Sequence, residues 1–274
     1  MRRKGSDALL SKGPPDAMSW ARHRIAMLAA AGLMLFGLAG MASAQDEGVP
    51  RLVSFGGECR NCGLAGRHLI GAKFIGADFA GASLAGADLR GANFIGSTFT
   101  GADLAKADVR GASMMAGNFL LANFSGAKLA GLEAHATVFI NANFNHVSAS
   151  CIDLSASNLS RVDGRDANFQ HGTFTRASLT SGHFQGASFQ SAKLEGANLA
   201  DGDFTGADFR DADLAGATLE GATLAGANLQ SAHNLTQHQL DEACADAHTR
   251  LPGGLSGHVC NGHGRRRDLE GASD

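Results

Sequence analysis

The chain has 274 residues, 44% of them hydrophobic, and a formal charge of -3. A sizeable core is affordable, and the charge is too small to require either a nucleic-acid groove or a strongly acidic surface. Glycine is frequent at 37 residues and proline scarce at 4, which together with a fixed period indicates a repeat rather than a linker.

Residues 1–44 read as a signal peptide. Positive charge at Ala21–Arg24 precedes an apolar stretch, Ile25–Gly40. That stretch is shorter than the roughly 20 residues of a spanning helix. Ala42–Ala44 is an A-x-A signal, so cleavage is expected after Ala44, with a retained anchor as the alternative. The segment before Met18 is long for an n-region, which makes Met18 a second candidate start. Met41 stands where a lipoprotein would carry its cysteine. Export to the periplasm or beyond implies an oxidising compartment, so Cys59, Cys62, Cys151, Cys244 and Cys260 read first as disulfide candidates. An odd number leaves at least one unpaired within the chain.

Residues 45–61 read as a lead-in or cap. Cys59 and Cys62 form a lone C-x-x-C there. A cap disulfide or two packed thiols is the first reading; zinc or redox chemistry is the alternative, and it lacks the further ligands of a closed site.

From Leu64 to Leu229 a large apolar residue recurs at every fifth position, and every Phe after Phe55 falls on that phase. Two positions earlier stands a small residue, usually Ala. A period of five fits neither helix nor flat strand; it fits a chain that turns a corner every five residues. The large residue and its small partner point the same way, as alternate residues of an extended backbone do, and both are expected inside. The pattern A-[DN]-[LF]-x-x, over roughly Cys62 to Ser231, resembles the pentapeptide-repeat family. The resemblance implies an all-β fold, a right-handed quadrilateral β-helix of four pentapeptides per coil spanning 62–234, with eight to nine coils.

The repeat departs from its rule in the middle. The large position holds Ala134, Ala149 and Gly164, and there the small position holds Leu132, Val147 and Val162. Volume moves from one inward site to the other, which keeps the interior filled. The fifth position is Gly without exception from Gly66 to Gly101 and never Gly from Ala136 to Ser181. The middle coils must therefore turn differently or carry strain.

A β-helix needs its open ends covered. Residues 235–260 read as a cap helix and a disulfide-tied loop. Thr236 and Gln239 make a capping box, Leu235 and Leu240 a hydrophobic staple, and Leu240, Ala243 and Ala247 one apolar face. The string "LTQHQLDEACADAHTRLPGGL" resembles the ending of many exported members of the family. Cys244 and Cys260 are the disulfide candidates here, with a metal site involving His248, His258 and His263 as the alternative. Residues 261–274 read as a disordered tail.

Residues 20 apart should stack on successive coils. That sets Cys151 beside His171 and His146 beside Asp166, on different sides of the rod, so the pairs need not converge into a catalytic site. A DNA mimic of the kind some family members present to topoisomerases needs a continuous anionic stripe. From Cys59 to Leu235 there are 15 acidic and 12 basic residues, and only Asp88 and Asp108 stack. The expectation is a non-enzymatic, exported structural or protein-interaction scaffold without cofactor, metal or nucleic acid, able to dimerise through a solenoid end; a topoisomerase-binding DNA mimic is the alternative. The candidate contact band is the stretch 132–181, where the fifth position is never Gly, with His146, Arg161, Asp166, His171 and Arg176.

Overall fold

In the computed structural model, residues 53–55 and 57–259 are described. The signal-peptide reading, the alternative start at Met18, Cys260 and the tail fall outside them. Within unit Gly48–Asp274, strand β1 (Val53–Phe55) pairs in parallel with β2 (Lys73–Ile75), Val53 opposite Lys73. The same 20-residue register then repeats from Lys73–Asn93 to Asp213–His233. Nine steps at about 4.8 Å make a rod of about 43 Å. The ladder begins at Val53, ahead of the boundary at 62. The result is the expected right-handed quadrilateral β-helix.

Each pentapeptide uses its backbone groups in one pattern. Leu89 and Gly91 donate to the next coil, at Asp108 and Arg110, while Asn93 donates back to Ala72. Ala92 closes the corner by donating to Leu89. One amide in five is left over, and a side chain takes it. The Asp or Asn before the large residue accepts from the amide two residues on, as Asp103 does from Ala105 at 3.1 Å and Asn198 from Ala200 at 2.9 Å. This Asx turn is the physical reason the repeat prefers Asp and Asn at that place.

Both inward positions are buried. Large residues from Phe79 to Leu229 are at most 2% exposed, and Leu132, Val147 and Val162 are as buried as Ala134 and Ala149 beside them. The volume exchange is thus real. Phenylalanines stack along the axis: Phe79, Phe99, Phe119 and Phe139 have successive centroid spacings of 4.7, 4.7 and 5.2 Å. A second series, Phe169, Phe189 and Phe209, follows at 5.2 and 5.1 Å. Between Phe144 and Phe169 the filling is aliphatic.

The corners answer the question of turning. Every fifth residue from Asn61 to Gly226 has a positive φ, between 52° and 68°. The run from Ala136 to Ser181 keeps the same geometry at 54–59° without a glycine. The middle coils turn as the others do and carry the strain.

At the C-terminal end, helix α1 (Gln237–Asp241) has Thr236 as N-cap and Gln239 in a full capping box. Leu240 and Ala243 are buried, and Leu235 packs against the core. Ala247 is exposed, unlike the expected helix face: α1 ends at Asp241 and the chain rejoins the ladder at Cys244 opposite Thr223 and Arg250 opposite Asn228. Gln239 does more than cap; its Nε2 donates to the carbonyls of Leu214 and Ala217 at 2.9 and 2.8 Å, tying α1 to a corner of the last coil.

Candidate interaction face

The four sides of the rod place the sequence-derived band residues on all four corners. His146 and Asp166 share one corner, with Nδ1 3.7 Å from Oδ2. Cys151, an exposed free thiol, and His171 share the next corner, one rung apart. Arg176 and Arg161 occupy the other two. The expected stacking holds, and the five band residues do not converge on one face. Among the described residues no three His, Cys, Asp or Glu side chains are grouped to hold a metal ion.

The cysteines at the first coil are joined: Cys59 and Cys62 form a disulfide with Cα atoms 5.2 Å apart. Cys59 occupies a large inward position and Cys62 the small one beyond the corner at Asn61, so the bridge packs against the end of the core. Cys244 is also disulfide-bonded; Cys260, its expected partner, lies outside the described residues.

Two neighbouring sides of the rod carry outward apolar residues, the first through the column Ile75, Ile95 and Met115. On the second, where outward positions are normally polar, Leu120 and Ile140 stack one rung apart, with Val138 beside them, all half-buried. The corner on one flank carries Ala116, Ala136 and Ala156; the corner on the other carries Leu121, Asn141 and Arg161. Leu121 is the exception among the corner residues. It is 57% exposed and held at φ 60°. A left-handed conformation costs a non-glycine residue about 1–2 kcal/mol, and an exposed Leu recovers little of it by burial. Sequence reasoning aimed at the missing glycines and passed over this face. The available signal was apolar residues at outward positions, the Leu120–Leu121 doublet, Val138 and Ile140 among them.

The family model described as pentapeptide repeats (8 copies) matches residues 58–94, 77–115, 152–180, 173–211 and 207–244. The chain belongs to the pentapeptide-repeat family. No curated protein matches it. Among solved structures, a trypsin-treated variant of QnrB1, a plasmid-mediated fluoroquinolone resistance protein, is similar at 19% identity and a TM-score of 0.40, covering 74% of this chain and 91% of that one. HetL, a pentapeptide repeat protein involved in heterocyst differentiation regulation from the cyanobacterium Nostoc sp. strain PCC 7120, is similar at 24% identity and a TM-score of 0.27, covering 62% and 88%.

Four aspartates of this pentapeptide-repeat rod are paired with an arginine two residues on. Asp88, Asp108, Asp163 and Asp208 each receive a forked bond from Arg90, Arg110, Arg165 and Arg210. Hydrogen bonding from the guanidinium holds these carboxyls below the usual aspartate range and raises the arginines facing Asp108, Asp163 and Asp208. Asp78 is paired with Arg60 at 2.6 Å. Carboxylates so paired present little net charge to a partner.

Proposed function

We propose that this protein is an exported, non-enzymatic scaffold that binds a protein partner through the flat side bearing Leu120, Leu121, Val138 and Ile140. The partner surface that fits is apolar, with a carboxylate opposite Arg161, which stands two rungs from Leu121 on the same corner. The observation that carries this reading is Leu121, kept exposed in a backbone conformation that costs energy. Evolutionary drift toward a better fold would replace it with Gly or Asn, the residues that tolerate that geometry. Export rests on the charged, apolar and A-x-A segments ahead of Gln45.

Crosslinking and recovery from the native exported fraction tests it. Leu120→Asn/Ile140→Asn should lose the partner recovered by the wild type, and Asp166→Ala/Arg176→Ala should retain it. Equal recovery by both variants removes the face from consideration. A gyrase supercoiling assay left unchanged by the protein separates this reading from a DNA mimic.

A further inference from the structure

The two ends of the rod are finished differently. At the C-terminal end α1, the coil through Cys244 and Arg250, and the pairing of Ala245 with Val259 cover the last rung. At the N-terminal end no described residue covers the core. Leu64, Leu69 and Phe74 are only partly buried, although their counterparts one coil on are at most 2% exposed. Ile70 on the first coil and Ile75 one rung in, opposite Phe55, are 49% and 39% exposed.

The same is true of the backbone edge. Asp78, Ser83 and Asp88 each donate to one coil and accept from it: Asp78 gives its amide to Gly57 and takes that of Cys59. Among the described residues nothing pairs with the amides or carbonyls of Glu58, Gly63 and His68, the same positions one rung earlier. An apolar end ringed by unpaired strand groups is a template for another chain.

We propose that the N-terminal end of the rod is covered by the same end of a second copy of this chain. Processing after Ala44, as proposed above, leaves only Gln45–Leu52 ahead of β1, with Asp46, Glu47, Pro50 and Arg51 among them. Eight such residues cannot lay a 20-residue coil over the opening. A second copy can. A two-fold axis across the rod sets each side of one first coil antiparallel to a side of the other, so each edge meets its own kind. The Cys59–Cys62 disulfide then lies at the centre of the joint rather than at a tip.

The test uses the full chain as the expressing cell delivers it, its N-terminus read by mass spectrometry so that a failure of processing is seen separately. Sedimentation equilibrium should give the mass of two chains. Gly63→Pro/His68→Pro removes two edge amides that have no partner among the described residues, and at Gly63 an added Cβ meets nothing within 4 Å. That variant, and independently Ile70→Glu/Ile75→Lys, should sediment as one chain with unchanged circular dichroism. Amide exchange at Glu58 should be slow in the wild type and at least tenfold faster in Ile70→Glu/Ile75→Lys. A monomeric wild type overturns the proposal, as does a dimer that survives both variants. Slow exchange at Glu58 in a monomer assigns the edge to residues 45–52 and overturns it too.

Discussion

Inside the rod, each phenylalanine decides what can stand two positions before it. At Gly117, Gly172 and Gly202 an added Cβ would come within 2.7, 2.9 and 2.6 Å of a ring carbon of Phe119, Phe174 and Phe204, and Gly182 stands in the same relation to Phe184. These rings lean over the small position, whereas those following Ala do not. Gly164 accommodates the same Phe184 from the coil before, with its would-be Cβ 2.7 Å from the ring. Gly182→Ala should therefore destabilise by about 1–3 kcal/mol in denaturant unfolding, as overpacking does; Ala187→Gly, at a site with room, should cost less than that. The exchange of Leu132 for Ala134 was legible in the sequence because it preserves a sum of volumes along one strand. The lean of a ring was not, since it depends on which residue lies on the neighbouring coil.

The corner is the element of this fold, and two kinds of exception mark it. Ser97 and Ser157, buried at small positions, insert their hydroxyls into the corner of the coil before. Ser157 Oγ donates to Ala134 at 2.7 Å and accepts from Thr137 at 3.0 Å, and Ser97 joins Phe74 and Ala77 likewise. Ser157→Ala should cost about 1–3 kcal/mol, the penalty for stranding a buried donor and acceptor. The second kind is the strained run from Ala136 to Ser181. The sequence left two outcomes open there, a different turn or strain, because a missing glycine does not say which the chain accepts. Backbone pairing to both neighbouring coils holds the geometry, so strain is the outcome. Ala136→Gly/Ala156→Gly should raise stability by about 1 kcal/mol, the relief of left-handed alanines less the entropy lost with Gly. Unchanged or lower stability in thermal unfolding would mean that these corners carry no strain to release.

Over the whole molecule, charge and apolar surface are distributed to opposite effect. The forked arginine pairs stabilise the folded chain and hold their aspartates below the ordinary range. A group whose pKa falls on folding contributes fully above its unfolded value, about 3.9 for Asp, and loses that contribution as pH drops through the folded value. Arg110→Gln/Arg165→Gln/Arg210→Gln should be less stable than the wild type at pH 6, and the gap should narrow as the pH falls below the ordinary aspartate value of about 3.9. A gap that persists in acid would assign the loss to packing instead.

The corner every five residues followed from the period, the four-sided rod and its 20-residue register from the resemblance to the pentapeptide-repeat family, and the capping box from Thr236–Gln239. The apolar side did not, because the four sides interleave in sequence and a face appears only when residues 20 apart are stacked. Leu121 and Leu132 state the division of labour most plainly: one exposed on a corner, the other buried in the core. Equilibrium unfolding of Leu132→Ala and Leu121→Asn tests that division directly. Leu132→Ala should cost about 2–5 kcal/mol, and Leu121→Asn should raise stability by up to about 1 kcal/mol as the left-handed strain is relieved. A large loss from Leu121→Asn would make it a structural residue and contradict a face kept for contact.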